Sequence, residues 1–400
     1  MAVRVGFSRS FEAGAAAKAC AGPIRALGQA SWGIAFCGGK HNPEAFLKAL
    51  KAELGDIPIV GGSAAGAITR AGIGYGGLET AVAGFFDMEE PPFITVTKRL
   101  GEGEQMAGRE LGEAVRSQAP DGRVVLLFYS SVAATAPLRL HPGSPLVTGF
   151  YEGLGNAKVT LIGAGTLTDM NLSNSWIFDG TGMTTHSAVA VVLPADLCAE
   201  TAILHGCVPV SSFMQITKVH GAEVYELDGR PAVQVLEGML GIDLGSCGAQ
   251  ELSLIATLGE KHGDRFAPYD ENAYVNRLIL NANPSTGSIT LFEPDFSNGA
   301  IVQVMSRDNA LMIESVRKGT EEILRRTAGR DGQVALYIDC AGRASARSGA
   351  PVEEADVMLQ SFKSDMPLIG LYSGVEIAPV NAQSRPLDWT AVLTVLYRGG

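Results

Sequence analysis

Short apolar runs alternate with amphipathic stretches near the start of the chain. The runs Ile34–Cys37 and Ile57–Val60 are apolar, and each leads into a pair of glycines. Between them, residues 44–54 carry apolar side chains three or four positions apart, which is the spacing of one helical face. The pattern therefore predicts a strand, a helix and a second strand. The side chains on the predicted helical face are Phe46, Leu47, Leu50 and Leu54.

The same arrangement recurs twice further along the chain. Val124–Ser131 precedes Val159–Gly165, and Val334–Cys340 precedes Pro367–Gly374. In each case an apolar run ends in small or polar residues, and a second apolar run ends in glycine roughly 20 to 30 residues later. The spacings are too irregular for a solenoid, so the pattern indicates a degenerate internal duplication.

Other segments predict antiparallel pairing. Leu78–Phe86 and Ser187–Leu193 are rich in valine and small residues, and Trp176–Gly182 contains the Asp-Gly pair typical of a hairpin. We therefore predict an α/β (α+β) fold of two related halves, each a mixed parallel and antiparallel sheet layered with helices. The predicted domains are residues 1–200 and 201–400, and residues 194–222 are expected to be the crossover between them.

Three further elements follow from local signals. Pro231 suits the first position of a helix that runs to about Leu240. Residues 309–326 predict an amphipathic helix, and residues 281–299, with several turn-forming pairs, predict a long mobile loop. The oppositely charged pairs four residues apart in the amphipathic helix are Glu314–Lys318, Glu321–Arg325 and Glu322–Arg326.

Charge and composition exclude several classes of partner. The formal net charge is -11, and no run of Lys or Arg exceeds two residues. A nucleic-acid or anionic-membrane surface needs concentrated positive charge, so neither partner is expected. No signal peptide and no apolar stretch of membrane-spanning length is evident, and the six cysteines form no disulfide framework. We expect a cytoplasmic protein with reduced thiols. The sequence is compatible with a homo-oligomer but does not specify one.

Catalytic motifs are weak. Gly72–Gly77 matches a dinucleotide fingerprint formally, but a β-rich stretch follows where that motif needs a helix. His205 and Cys207 are close enough to share a metal ion, although a structural zinc site needs four ligands. Cys340 or Cys247 is a candidate nucleophile only if a base lies beside it. The remaining histidines are isolated, and a surface or hydrogen-bonded role is expected for each of them: His41, His141, His186, His220 and His262.

The strongest constellation of polar residues lies near the C-terminus. Cys340 and Arg343 follow one predicted strand, and Tyr372 and Glu376 follow the end of the next. Small ligands bind where strand ends converge in an α/β layer. An Arg side chain can bind a carboxylate in a bidentate manner, and a Glu side chain can accept an amine. The alternative is a buried Arg–Glu pair that joins the two strands.

Across nearly its whole length the chain resembles the FIST sensory proteins. The N-terminal half is similar to the FIST N domain, and residues from about 206 to 395 are similar to the FIST C domain. The order and spacing of the motifs carry the resemblance. They are Val60–Gly66, Leu161–Gly165, Gly206–Pro209, Glu226–Ala232, Cys340–Arg343 and Gly370–Pro379.

The resemblance implies a non-enzymatic sensory module for a small molecule such as an amino acid, with signalling through a partner protein in trans. Arg343, Glu376, Tyr372 and Cys340 are its candidate ligand-binding residues, with Ser63 and Gly62 as a second surface. Some members of the family look like haem-based nitric-oxide sensors that regulate a histidine kinase. Haem is therefore the alternative cofactor, with His205 or Cys207 as its axial ligand. The third hypothesis is the cysteine-dependent enzyme.

Overall fold

The computed structural model describes residues 1–88, 90–118, 123–244 and 254–399. Cys247, one of the two candidate nucleophiles, lies outside these residues. Short 3₁₀ turns occur at Leu100–Glu102, Glu271–Ala273 and Ala341–Arg343. The helices of the described part are α1 Ala13–Arg25, α2 Pro43–Leu54, α3 Glu104–Gln118, α4 Gly143–Leu154, α5 Ala232–Leu240, α6 Asn309–Arg326, α7 Ser345–Ser348 and α8 Glu354–Ser361.

Strands make up most of the remaining regular structure. Those of the first half are β1 Ala2–Ser8, β2 Trp32–Gly38, β3 Ile59–Ala64, β4 Gly66–Thr69, β5 Gly72–Gly74, β6 Thr80–Phe86, β7 Phe93–Thr97, β8 Arg123–Ser130, β9 Val132–Thr135, β10 Leu138–Leu140, β11 Val159–Thr166, β12 Ile177–Gly180, β13 Met183–Thr184, β14 Ala188–Val192 and β15 Leu197–Leu204. Those of the second half are β16 Val208–Pro209, β17 Met214–His220, β18 Glu223–Leu227, β19 Arg230–Pro231, β20 Ala256–Lys261, β21 Tyr274–Asn283, β22 Ser288–Leu291, β23 Ile301–Ser306, β24 Asp331–Cys340, β25 Leu368–Ser373, β26 Val375–Val380, β27 Gln383–Leu387 and β28 Ala391–Arg398.

The three predicted strand–helix–strand units are confirmed. Strands β2 and β3, β8 and β11, and β24 and β25 each pair in parallel, as a crossover through a helix requires. Each parallel pair has antiparallel neighbours, so the mixed α/β class is confirmed as well. Residues at or next to the ends of the three parallel pairs occupy equivalent register positions, namely Cys37 opposite Ser63, Ser130 opposite Thr166, and Cys340 opposite Ser373.

The three units exchange strands in a cycle. The strand that follows each parallel pair leaves its own sheet: β4 joins β25, β12 joins β3, and β26 joins β11. In every case the first residue of the exchanged strand lies opposite the residue that precedes the Ser or Thr at the strand end. These pairs are Gly62–Ile177, Gly165–Val375 and Tyr372–Gly66. The sheet of β8 and β11 and the sheet of β24 and β25 therefore combine strands from both halves of the chain.

The three sheets enclose one apolar core and carry helices on their outer faces. Side chains of all three sheets meet in this core, where Phe36 of β2 and Phe128 of β8 pack edge to face at 5.6 Å. Helices α1 and α2 cover the first sheet, α3 and α4 the second, and α6 and α8 the third. The helices do not cover the carboxyl ends of β24 and β25, where the candidate site lies.

Residues 208–244 and 254–306 contain a separate antiparallel barrel. Strands β23, β17, β18, β22, β21 and β20 pair in that order, and β20 pairs with β23 to close the ring. Two predictions are wrong here. The expected crossover at 194–222 holds strands β15, β16 and β17, because β15 pairs with β28, β16 with β23, and β17 with both β18 and β23. The expected mobile loop at 281–299 contains β22, which pairs with β18 and β21.

Helices α3 and α4 pack through glycine on both sides. Gly108 and Gly112 of α3 face α4, and Gly149 and Gly153 of α4 face α3. A methyl group at Gly149 would lie 1.9 Å from the carbonyl oxygen of Gln105. The two backbones are therefore closer than any larger residue permits at this position.

The amphipathic helix is confirmed as α6, with the predicted bounds. Glu314 contacts Lys318 at 3.1 Å and Glu322 contacts Arg326 at 3.9 Å, as expected. Arg325, which was predicted to pair with Glu321, binds Glu322 instead. None of the helices described is both long and apolar enough to cross a membrane.

Candidate functional site

A cavity of about 530 Å³ opens where β24 and β25 end. The turn Cys340–Gly342 and the strand end Ser373–Gly374 form one side of it, which places it at the predicted convergence of strand ends. Its size is that of a site for a small organic molecule. The remaining lining residues are mostly apolar: Leu167, Met170, Leu172, Leu254, Leu278, Leu280, Phe292, Ala346, Arg347, Asp388 and Trp389.

Carboxylates without full hydrogen bonding lie at and beside the cavity. Ser373 donates a hydrogen bond to Oε1 of Glu376 at 2.7 Å, but Oε2 of Glu376 has no hydrogen-bond partner. Oδ2 of Asp388 accepts from the backbone of Leu278 at 3.1 Å, and its Oδ1 lies 3.6 Å from Arg277 without a hydrogen bond. A buried oxygen that lacks a donor is costly, and Asp388 lines the cavity, so its Oδ1 favours a ligand that donates hydrogen bonds.

Burial weakens the acidity of these carboxyl groups. Burial raises the pKa of Asp388 to about 7, although the nearby guanidinium of Arg277 lowers it. Burial also raises the pKa of Glu376 well above its ordinary value, against the opposing effect of the hydrogen bond from Ser373. Both groups therefore change their charge more readily than ordinary carboxylates when a cation approaches.

Arg343 lies beneath the cavity and is completely buried. Its guanidinium binds Glu354 through two hydrogen bonds of 2.5 and 3.0 Å and lies 3.5 Å from Asp339. It also donates to the backbone oxygens of His205 and Trp389. Each of its three guanidinium nitrogens donates at least one hydrogen bond within the protein. Arg343 therefore forms a buried Arg–Glu pair, but its partner is Glu354 of α8 and not a Glu residue of the second strand, so the pair does not join the two strands.

Tyr372 and Cys340 differ in their access to the cavity. Tyr372 is buried and donates a 2.5 Å hydrogen bond to Glu353, which also accepts from Tyr75. Cys340 lines the cavity and is 8% exposed. Burial, together with the charge of Glu376, raises the pKa of its thiol well above the ordinary value. The thiol is therefore protonated, whereas a nucleophilic cysteine needs a lowered pKa.

Ser63 and Gly62 lie away from the cavity lining, at the crossing of β3 and β12. The hydroxyl of Ser63 donates to the carbonyl oxygen of Trp176 at 3.2 Å, and Gly62 lies against the same backbone. Ser63 occupies in the first unit the register position that Ser373 occupies in the third. This structural equivalence accounts for the similar sequences around Ser63 and Ser373.

His205 and Cys207 are buried and bound within the protein. Nδ1 of His205 accepts from the backbone of Cys207 at 2.9 Å, and its Nε2 lies 3.1 Å from the carbonyl oxygen of Glu271. Burial lowers the pKa of His205, in agreement with a neutral ring. Both ring nitrogens are engaged, so His205 does not fit the role of an axial haem ligand. Burial raises the pKa of Cys207 to about 11, which disfavours the thiolate that would bind iron.

The part of the chain that the structure describes contains no group of three or more His, Cys, Asp or Glu side chains arranged to hold a metal ion. Likewise, no histidine occurs among the described residues that line the cavity. The haem hypothesis therefore has no structural support at the residues that the sequence proposed for it.

Sequence reasoning missed several residues of the site. Asp388 and Trp389 come just before the last strand, and Trp389 has the guanidinium of Arg307 over its ring at 3.1 Å. Arg347 donates to the carbonyl oxygen of Met170 at 2.8 Å and so holds the loop of residues 167–175 against the cavity. The sequence did contain a signal for Asp388 and Trp389, because an acidic and an aromatic residue stand next to each other just before an apolar strand.

The fold and the site define a mixed α/β protein with a largely apolar cavity that Asp388 lines. Comparison with known families identifies it further. The FIST N domain model matches residues 31–230, and the FIST C domain model matches residues 232–379. The chain therefore belongs to the FIST family. This membership is consistent with a sensory domain and favours a non-enzymatic role.

Similar proteins occur in mycobacteria. An uncharacterized protein of Mycobacterium bovis is 24% identical over 341 residues, which cover 79% of this chain and 81% of that protein. An uncharacterized protein of Mycobacterium tuberculosis is 27% identical over 225 residues, or 55% of this chain and 56% of that protein. Among solved structures, phosphoribosylformylglycinamidine synthase II from Thermotoga maritima covers 78% of this chain and 73% of its own at 10% identity. Its TM-score of 0.23 is too low for any argument about fold or function.

Proposed function

We propose that this protein is an intracellular sensor without catalytic activity, which binds a small molecule carrying an amine and an apolar group in the cavity at the ends of β24 and β25. An amino acid or a related metabolite has this chemistry. The observation that carries the proposal is Asp388, which lines the cavity beside apolar walls and whose buried Oδ1 has no hydrogen-bond partner. An ammonium group supplies three donors and a positive charge.

In this proposal, Arg347 binds the carboxylate group of a ligand that has one. It lines the cavity, whereas Arg343 is committed to Glu354. Arg347 already contacts Met170 and Asn171 of the 167–175 loop, so a carboxylate that takes over its guanidinium would release this loop. Ligand binding would thereby change the surface that the loop presents, because Asn171, Ser173 and Asn174 are exposed.

The binding proposal predicts a preference for amines. We expect phenethylamine and phenylalanine to raise the melting temperature of the protein, and 3-phenylpropionate, which lacks the amine, to leave it unchanged. In calorimetry, Asp388→Asn should weaken amine binding by about tenfold or more, because the carboxamide removes the charge. Asp365→Asn, at an exposed site, is the matched control.

The same carboxyl group sets the pH dependence. Because the pKa of Asp388 is raised to about 7, amine affinity should increase between pH 6 and 8 as the group ionises. The stability of the free protein changes with pH in the opposite direction to the amine affinity. A carboxyl whose pKa is higher in the folded state stabilises the fold at low pH, and this stabilisation is lost as the pH rises toward 7. Amine binding that Asp388→Asn leaves equally tight and equally dependent on pH would contradict the proposal.

We further propose that the signal passes in trans to a partner such as a histidine kinase, which contacts the 167–175 loop. Support for this step comes from the family's sensory character and from the exposure of the loop beside the cavity. Affinity capture from the native host should enrich a signalling protein only with or only without phenethylamine, and Asp388→Asn should abolish the difference. Capture of the same proteins under both conditions would argue against this route.

A further inference from the structure

Two histidines that are distant in sequence meet outside the cavity. Nε2 of His141 lies 3.0 Å from Nδ1 of His186, and the two rings are nearly perpendicular, at 79°. On the opposite side of its ring, Nδ1 of His141 lies 2.8 Å from Oε1 of Glu104. His141 is buried and His186 is exposed. Glu104 begins α3, His141 precedes α4, and His186 precedes β14, so three separate elements form this cluster.

The hydrogen bonds assign the protons. A carboxylate only accepts, so Nδ1 of His141 carries the proton that is donated to Glu104. In the neutral ring, Nε2 of His141 then has a free lone pair, which accepts from Nδ1–H of His186. The hydrogen bond to Glu104 therefore orients His141 with the lone pair of Nε2 toward His186.

The backbone holds His186 in an uncommon conformation. Its φ is +48°, in the left-handed region that residues other than glycine seldom adopt. The carbonyl oxygen of His186 accepts from the backbone of Leu100, and Ser130 and Ser187 bond to each other through two further hydrogen bonds. Such strain persists where the surrounding structure enforces it, often at functional sites. Here it directs one imidazole nitrogen at another.

We propose that His141 and His186 bind a divalent transition-metal ion of the Zn²⁺ type, with Glu104 as the hydrogen-bond partner that orients His141. Two imidazole nitrogens on a tetrahedral zinc ion, each about 2.05 Å from the metal, are about 3.3 Å apart. The observed 3.0 Å is within a few tenths of an ångström of this separation. A carboxylate on the outer nitrogen of a ligating histidine is the usual second partner in zinc sites.

Binding replaces the hydrogen bond between the rings. His141 already presents a lone pair, and His186 moves its proton from Nδ1 to Nε2, so that both nitrogens bind the ion and no net charge is lost. Because His186 is exposed, water completes the coordination. With two protein ligands among the described residues, the site suits an exchangeable ion rather than a structural one.

Titration of the full chain with ZnCl₂ in a non-chelating buffer tests the site. We expect one zinc ion per chain, and His186→Ala should weaken the affinity by about tenfold or more because one of two ligands is lost. Glu104→Gln should weaken it by about 10- to 100-fold while keeping both ligands. His220→Ala, an exposed histidine at the end of β17, is the control and should bind zinc as the wild type does.

Two results would overturn the proposal. One is a wild-type chain that takes up no zinc, and the other is an affinity that His186→Ala leaves unchanged. A Co²⁺ titration followed by visible absorption gives a second reading, because imidazole coordination changes the spectrum and His186→Ala should remove that change. Far-ultraviolet circular dichroism of each variant separates a lost ligand from a lost fold. The site is independent of the amine-binding cavity, so Asp388→Asn should leave it intact.

Discussion

Replacing Arg343 by methionine should lower the free energy of unfolding by about 3–5 kcal/mol, because it leaves buried carboxylates without their cation. Glu354 would lose two hydrogen bonds, and Asp339, which has no hydrogen-bond partner, would lose its nearest positive charge at 3.5 Å. Burial raises the pKa of both acids in the folded state, so they have little capacity to carry an unpaired charge. Urea denaturation followed by circular dichroism measures the loss.

Arg317→Met provides the matched comparison. Arg317 makes ion pairs with Glu314 and Glu321 on the solvent-facing side of α6, where water screens the charges. Its unfolding midpoint should remain close to that of the wild type. The double variant Arg343→Met/Glu354→Met should recover part of the loss, since it removes one unpaired charge. Equal midpoints for Arg343→Met and Arg317→Met would show that the buried pair contributes little to stability.

Gly149→Ala should destabilise the protein by about 2–3 kcal/mol, because the added methyl group has no space between α3 and α4. Its nearest neighbour, at 1.9 Å, is the backbone oxygen of Gln105 in α3, which moves only if the helix moves. Gly108 and Gly112 make the same close approach from α3, so a shift that relieves one contact disturbs the others. Thermal unfolding followed by circular dichroism is a suitable measurement.

Gly14→Ala is the control for this prediction. Gly14 lies in α1, and a methyl group there would meet no atom within 4 Å. Alanine favours the helix by about 0.5–1 kcal/mol over glycine, so this variant should be as stable as the wild type or slightly more stable. If the two alanine variants melt at the same temperature, the close packing of α3 on α4 does not constrain this interface.

Periodicity in the sequence predicted the local units but not their assembly. The strand–helix–strand repeats and the helix at 309–326 follow from spacings within about 30 residues, where apolar periodicity is informative. The exchange of β4, β12 and β26 joins positions such as Gly66 and Tyr372, which no local pattern connects. The crossover predicted at 194–222 failed for the same reason, because β15 and β16 pair with β28 and β23, which lie far along the chain.

The sequence predicted where the candidate site lies, but not most of the residues that line it. The strand ends at Cys340 and Ser373 do form one side of the cavity. Arg343 and Glu376 lie behind the cavity lining. A buried Arg residue needs a buried partner, and Arg343 finds one in Glu354. Glu354 reaches that position only after α8 has folded. The meeting of His141 with His186 likewise depends on the tertiary structure, so each histidine looks isolated in the sequence.

The cyclic exchange of strands has a consequence for synthesis on the ribosome. Strand β4 is translated early, but its neighbour β25 emerges some 300 residues later, and the edge of β11 stays open until β26 has left the exit tunnel. The nascent chain therefore exposes unpaired strand edges during most of its translation. Such edges pair readily with other chains, so the yield of folded protein depends on chaperones that shield the emerging polypeptide.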